Sequence, residues 1–291
     1  MSEKPETKKE SMFLAVMKEL RIKGWLKNLL VLCPIVFSLE LLEWERLSGA
    51  LLLMLAFCFV SSGVYVLNDI VDLKNDRNHP IKKNRPIASG RIPVGAGWAM
   101  VAVFMCLGLG IAFFVNKVAF FLILAYILIN VLYSKWLKKM PVIDCFCIAA
   151  GFLIRVLAGG TVVTDGVSDW MFLTVVAMSL FMAFGKRRGE LSAHGDSGTR
   201  DVLGSYDMGF LTGVVCMNAC LMVVFYSLWS IQKEKLIYTV PVVLFIVIRY
   251  LLLIFKGKSE GDPTTVILSD KVLLISGVIY ALIILAILYI V

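Results

Sequence analysis

What most limits the folds open to this chain is a recurrence of apolar stretches of about 20 residues, the length an α-helix needs to cross the hydrocarbon core of a bilayer. Nine can be placed, near residues 24–40, 47–67, 94–115, 118–134, 142–160, 170–185, 209–230, 236–255 and 271–290. Only Asn116 and Lys117 divide the third from the fourth, and Pro34 interrupts the first, so the count is eight or nine. In lipid the backbone N–H and C=O groups must be satisfied within the protein, and for runs of this kind the helix is the solution. The chain is 59% hydrophobic and 17% charged, whereas soluble domains carry about 25% charged residues. The expected architecture is an all-α polytopic membrane protein of about nine transmembrane helices. A single transmembrane domain over 21–291 would follow a polar tail over 1–20. The opening MSEKPETKKE has no short apolar core with a cleavage site, so no removable signal peptide is expected.

The net charge of +8 could suggest nucleic acid. In a membrane protein the same excess normally lies in cytoplasmic loops and meets anionic lipid or phosphorylated substrates, and that reading is taken here, with no nucleic-acid partner. Of the 29 basic residues, 23 fall in one alternating set of loops: 1–27, 68–93, 135–141, 186–208 and 256–271. These loops and the amino terminus are therefore expected in the cytoplasm, with the carboxyl terminus outside. The seven cysteines lie in apolar runs without CxxC spacing and read as small buried hydrophobes. The two histidines, His79 and His194, exclude a histidine-rich metal site.

Between the second and third apolar runs lies NDIVDLKNDRNHPIKKNRPIASG, residues 68–90. If Val66 to Asn78 continues the preceding helix, Asp69, Asp72 and Asp76 stand at i, i+3 and i+7 on one face, with Asn68 one turn before Asp72. Carboxylates this close repel unless a cation sits among them. Hard carboxylate and amide oxygens suit Mg²⁺, which keeps waters and bridges to substrate phosphates. The row Asn68, Asp69, Asp72 and Asp76 is thus a candidate magnesium and catalytic site for a diphosphate. Lys82, Lys83, Arg85 and Arg91 follow in a loop closed by prolines and glycine, supplying cations for phosphate oxygens. The alternative is a solvated charged loop between spans, which seldom sets its acids in such a row.

Other polar groups fall on the same side. YSKWLKKMPVID, Tyr133 to Asp144, is a short basic turn whose Lys135, Lys138 and Lys139 serve equally well as positive-inside anchors. Asp144 stands one turn into an apolar helix, where a carboxylate needs a partner. Arg155 lies eleven residues on, and eleven steps of about 100° return almost to the same face. It is either half of a structural ion pair or a substrate contact. GKRRGEL closes the sixth run, and Lys186, Arg187, Arg188 and Glu190 could grip a second phosphate or merely suit a helix end. Near the amino terminus Arg21, Lys23 and Trp25 read as membrane-edge anchors, while Lys27 and Asn28 are placed to enter a cytoplasmic cavity.

Asn68-Asp69-x-x-Asp72-x-x-x-Asp76 resembles the NDxxDxxxD pattern of the UbiA superfamily of intramembrane prenyltransferases. The longer stretches, WLKNLLVLCPIVFS, the 68–90 segment, YSKWLKKMPVIDCFCIAAGFLIRVLAGG and SLFMAFGKRRGEL, are similar to the phosphoribosyltransferase branch of that superfamily over about residues 20–208. The resemblance implies a nine-helix bundle with a cytoplasm-facing cavity in a bacterial plasma membrane, with a homo-oligomer, a trimer, among its options. It implies Mg²⁺-dependent transfer of 5-phosphoribose from phosphoribosyl pyrophosphate to a polyprenyl phosphate. The superfamily's second acidic motif, DxxxD, is replaced here by GKRRGE. That departure disfavours the alternative, a prenyltransferase using a prenyl diphosphate and a hydrophobic acceptor. It fits a substrate whose extra phosphate needs cations, with Tyr133, Lys138, Asp144, Arg155 and the 186–190 cluster as substrate contacts. A transporter would instead gather its polar groups near the bilayer midplane.

Overall fold

The computed structural model describes residues 12–80, 82–194, 201–233, 235–256 and 263–290, and contains helices and no strand among them. Helix α1 (Met12–Glu19) leads into a 3-10 helix (Ile22–Leu32) and the short α2 (Cys33–Phe37). Then come α3 (Trp44–Val71), α4 (Leu73–Asn78), α5 (Val94–Val115), α6 (Lys117–Lys135), α7 (Ile143–Gly160) and α8 (Asp169–His194). The chain finishes with α9 (Met208–Ile231), α10 (Val240–Phe255), α11 (Pro263–Ser269) and α12 (Lys271–Tyr289).

Eight of the described helical segments are long and apolar enough to cross a membrane. Helices α3, α7 and α8 bury half or more of their spans, while α5, α6 and α12 bury less than a fifth. The first three form the centre, and the others turn wide apolar faces outward, as a bundle solvated by lipid should. Asn116 shows how little connection a hairpin needs: it ends α5, and its side chain accepts from Val118 N at 2.8 Å and Ala119 N at 3.2 Å to begin α6.

The first apolar stretch, 24–40, is not one continuous α-helix. Eleven residues of 3-10 helix cover about 22 Å and the five of α2 about 8 Å, so together they match the hydrocarbon thickness of about 30 Å. Its ends confirm a full traverse. Arg21 meets Asp69 at the carboxyl end of α3, whereas Glu40 accepts from Thr164 N, beyond the end of α7, at 3.0 Å. Polar contacts fasten it to α3: Trp25 Nε1 donates to Ser62 Oγ at 3.0 Å, and Asn28 Nδ2 donates to Ser61 Oγ at 3.4 Å. At the far end Tyr289 Oη donates to Val36 O at 2.9 Å, so α12 finishes at the end of the bundle opposite Asp69.

Two further expectations change in detail. The tail assigned to 1–20 becomes helical from Met12, with Met12, Phe13 and Leu14 exposed and Ala15 and Glu19 buried; residues 1–11 lie outside the described residues. The helix expected to run through Asn78 ends at Val71 and resumes at Leu73, with Asp72 between them at φ −86°, ψ 6°. Backbone bonds from Asp72 N to Asn68 O and from Asp76 N to Asp72 O carry the helical pattern across this joint.

The seating of the 3-10 helix rests on Gly159, where an added Cβ would lie 1.9 Å from Val31 O. We expect Gly159→Ala to cost roughly 1–3 kcal/mol through overpacking. Gly277→Ala, with nothing within 4 Å, should be neutral or mildly stabilising. Thermal unfolding of detergent-solubilised protein compares the two, and equal melting temperatures would show that the traverse is not packed there.

Candidate active site

At the Asp69 end of the bundle the carboxyl ends of α3, α6 and α8 and the start of α7 surround a cavity of about 610 Å³. Among the described residues its walls carry nine lysine and arginine side chains against three carboxylates, those of Asp69, Asp72 and Asp76. A chamber with this excess of positive charge, let into an apolar bundle, suits a ligand with several anionic groups.

The acids do not form one uniform row. Asp69 and Asp76 are almost wholly buried and converge on one guanidinium nitrogen: Arg85 Nη1 donates to Asp69 Oδ1 at 2.8 Å and to Asp76 Oδ2 at 2.6 Å. Arg21 Nη2 donates to the same Asp69 oxygen at 2.7 Å. Asp72 is more open and faces Lys138 Nζ at 3.4 Å. Asn68 Oδ1 accepts from Ser134 Oγ at 2.6 Å, which fixes the amide and leaves its oxygen a second lone pair.

These oxygens fit a divalent ion of the magnesium kind. No three acidic, histidine or cysteine side chains among the described residues come close enough to hold a metal alone. Mg²⁺ does not require them to, since it is commonly held by one or two carboxylates together with waters and substrate phosphates. The nitrogen shared by Asp69 and Asp76 shows where a cation is stable between them.

Lys27, Lys82, Tyr133, Lys138 and Lys186 all line the cavity, as expected of substrate contacts. Of the remaining expected residues, Arg155 and Arg187 also reach the cavity wall but are held by the protein's own groups. Arg187 is wholly buried, donating through Nε to Asp144 Oδ2 at 2.5 Å, through Nη1 to Glu190 Oε2 at 2.7 Å and through Nη2 to Tyr133 Oη at 3.2 Å. Asp144 also accepts from Tyr206 Oη at 2.6 Å, and Tyr206 accepts from Val142 N. Burial, then the bond to Asp144, pushes the Tyr206 hydroxyl pKa upward, keeping it a donor. Three of the expected contacts, Asp144, Arg187 and Glu190, therefore satisfy one another.

Arg188 points away from the cavity, donating to Thr212 Oγ1 at 3.0 Å and to Ile254 O at 3.1 Å, with its guanidinium 4.2 Å from the Phe255 ring centre. Neighbours on a helix are about 100° apart, so Lys186, Arg187 and Arg188 serve three different surroundings despite standing in a row.

Asp144 and Arg155 do not pair, though both face inward. Arg155 Nε donates to Asn28 Oδ1 at 2.7 Å, Nη1 to Gly151 O at 2.6 Å and Nη2 to Tyr126 Oη at 3.1 Å, with the Tyr126 ring centre 4.7 Å away. No carboxylate among the described residues forms an ion pair with it, and aromatic faces and neutral acceptors take that place. Asn28 is buried and works as a brace between the 3-10 helix, α3 and α7, while its neighbour Lys27 lines the cavity.

Several lining residues were passed over in the sequence. Arg21, read there as an anchor, is an ion-pair partner of Asp69. Tyr126, Asn130 and Ser134 join the expected Tyr133 in a polar stripe down α6, and their i, i+4, i+7, i+8 spacing was visible in the sequence. Glu19, at the end of α1 and 1% exposed, sits behind Asp69. Burial first, and then the charge on Asp69, pushes its pKa up to about 7.

If Arg187 is an internal brace, Arg187→Met should lower stability by roughly 3–5 kcal/mol, because it strands the buried Asp144 and the partly buried Glu190. Following it with Asp144→Asn and Glu190→Gln should recover much of that loss in thermal unfolding. A single variant as stable as the parent would show that the network does not support the fold.

The comparisons with known proteins agree with this geometry. Residues 29–269 match the model of the UbiA prenyltransferase family. The chain is 35% identical over 272 residues to a decaprenyl-phosphate phosphoribosyltransferase of Corynebacterium glutamicum, covering 89% of this chain and 82% of that protein. It is 32% identical over 278 residues to its namesake in Mycolicibacterium smegmatis, covering 89% and 87%. A UbiA homologue from Archaeoglobus fulgidus, solved bound to GPP and Mg²⁺, superposes with a TM-score of 0.71 at 19% identity over 94% of this chain and 98% of that one, a likeness of fold. With the apolar bundle and the NDxxDxxxD acids across the junction of α3 and α4, these matches establish that the chain is an integral membrane protein of the UbiA prenyltransferase family.

Proposed function

We propose that this protein transfers 5-phosphoribose from phosphoribosyl pyrophosphate to a polyprenyl phosphate, releasing pyrophosphate, with Mg²⁺ as cofactor. The observation that carries the reading is a chamber at one end of the bundle that sets three acids on one wall against lysines on the others. The names of the relatives at 30–35% identity support the same chemistry.

Asn68, Asp69, Asp72 and Asp76 would hold the ion. Once bound, it would offset charge building on the departing pyrophosphate. The sugar C1–oxygen bond breaks with its electron pair leaving on pyrophosphate, and an oxygen of the lipid phosphate forms the new bond to C1. That oxygen is already anionic, so the site needs to position it and requires no base. Lys138 and Lys139, from the turn after α6, and Lys186, from α8, line the chamber with Lys27 and Lys82. They supply the point charges for the sugar 5-phosphate and the lipid phosphate. The prenyl tail would pass sideways between apolar helices into the bilayer.

A prenyl diphosphate handled through two acidic motifs is less well served here. The second motif's position holds Glu190, which is tied to Arg187 and does not line the chamber. The bias of basic residues toward the loops at the chamber's end supports a cytoplasmic site in a bacterial plasma membrane.

Membranes supplied with labelled phosphoribosyl pyrophosphate should move label into the lipid phase only when polyprenyl phosphate is added. Label arriving instead from a prenyl diphosphate onto a hydrophobic acceptor would replace this reading. Asp72→Asn should reduce transfer by about 100-fold or more while leaving the elution profile of the purified protein unchanged. Full activity would remove the metal role.

A further inference from the structure

The oxygens that the proposed chemistry needs are already engaged by arginine. Arg85 links Asp69 to Asp76, and Arg21 adds a second guanidinium to Asp69 Oδ1. The acids are buried and the cations lie nearer the open chamber: the Asp69 and Asp76 side chains are 4% and 3% exposed, those of Arg21 and Arg85 35% and 28%, with the Arg21 guanidinium also 4.6 Å from the Tyr65 ring centre. Arg85 sits on the loop between α4 and α5, and Arg21 on the two-residue link between α1 and the 3-10 helix.

Behind this arrangement lies Glu19, and neither of its oxygens meets a well-aligned hydrogen-bond partner among the described residues. A buried carboxyl held this loosely is costly to ionise: the Asp69 side chain and the Ile87 backbone lie near it without a well-aligned bond, and it stands within electrostatic reach of both Asp69 and Arg21. Packing does not require an acid there, because a glutamine or leucine would fill similar space.

We propose that Arg21 and Arg85 are resident cations of the acid site that give way to the metal, and that Glu19 is the carboxylate to which Arg21 then moves. The inference rests on the reading of Asn68, Asp69, Asp72 and Asp76 as the metal site. Before loading, the two guanidinium groups keep the buried acids from repelling one another. On loading, Arg85 is released toward the chamber, where its planar fork suits the diphosphate oxygens. Arg21 turns from Asp69 to Glu19, which then gains the counter-charge it lacks beforehand. Glu19 is thereby a positioning residue, acting through Arg21 on Asp69, which explains an acid buried outside the chamber without a well-aligned partner.

Binding of Mn²⁺ alone to the full chain in nanodiscs, followed by electron paramagnetic resonance, tests this without turnover. Glu19→Gln should weaken Mn²⁺ by about tenfold or more, as loss of an outer partner does at metal sites, because Arg21 then stays on Asp69. Arg21→Gln should bind at least as tightly as the parent, its competitor having gone, and the double variant should return to the parent's affinity. Unchanged binding in Glu19→Gln, weaker binding in Arg21→Gln, or a double variant as weak as Glu19→Gln would each overturn the exchange. Parent affinity that Asp72→Asn leaves unmoved would instead remove the metal site, and the exchange with it.

Discussion

Charge buried at the end of an apolar helix must be met by opposite charge, and much of this structure follows from meeting it at Asp69 and Asp76. Helix α3 brings Asp69, and the short α4 after it Asp76, to the edge of the bilayer, where both are sealed from water. The loop after α4 must then fold back far enough for Arg85 to reach both. The chain's first traverse must also begin where Arg21 can reach Asp69. These demands fix the loop and the amino-terminal segment against the same point, and the chamber is the space left in front of it. It is polar because its walls contain the partners of those acids.

Two populations of cation result. Arg155, Arg187 and Arg188 are spent on the protein itself, each holding several acceptors from different helices. Arginine suits that work, since its planar fork can satisfy several acceptors at once and it keeps its charge when buried. Lysines dominate the chamber wall opposite the acids, as compact charges on flexible stems that can follow a phosphate. The division explains how one short run, Lys186 to Arg188, supplies a chamber contact, a buried brace and an outward tie within three residues.

The first traverse carries the other structural load. By stretching into 3-10 helix it spans the hydrocarbon thickness with few residues and delivers Asn28 to Arg155, so that α3, α7 and the entry segment lock together beneath the chamber. Gly159 allows the approach, since any side chain there would strike the backbone at Val31. The floor of the chamber is thus a hydrogen-bonded brace, and the lysines of its wall lie above it.

The chain's membrane character, its helices and the place of its acids were determined by the sequence alone. Bilayer thickness sets a length that apolar runs either meet or miss, and carboxylates at i, i+3 and i+7 cannot be dispersed by a helix. Lys27, Lys82, Lys138 and Lys186 were legible for the same reason, because they flank spans on one side of the membrane. Which cation meets which acid was decided by tertiary structure. Arg187 and Glu190 belong to Asp144 through packing among α7, α8 and Tyr206, and Arg21 belongs to Asp69 through a path 48 residues long. A linear pattern records which charges share a side of the membrane. Only the packed bundle sets the few ångströms that make Lys186 a chamber contact and its neighbour Arg187 a brace.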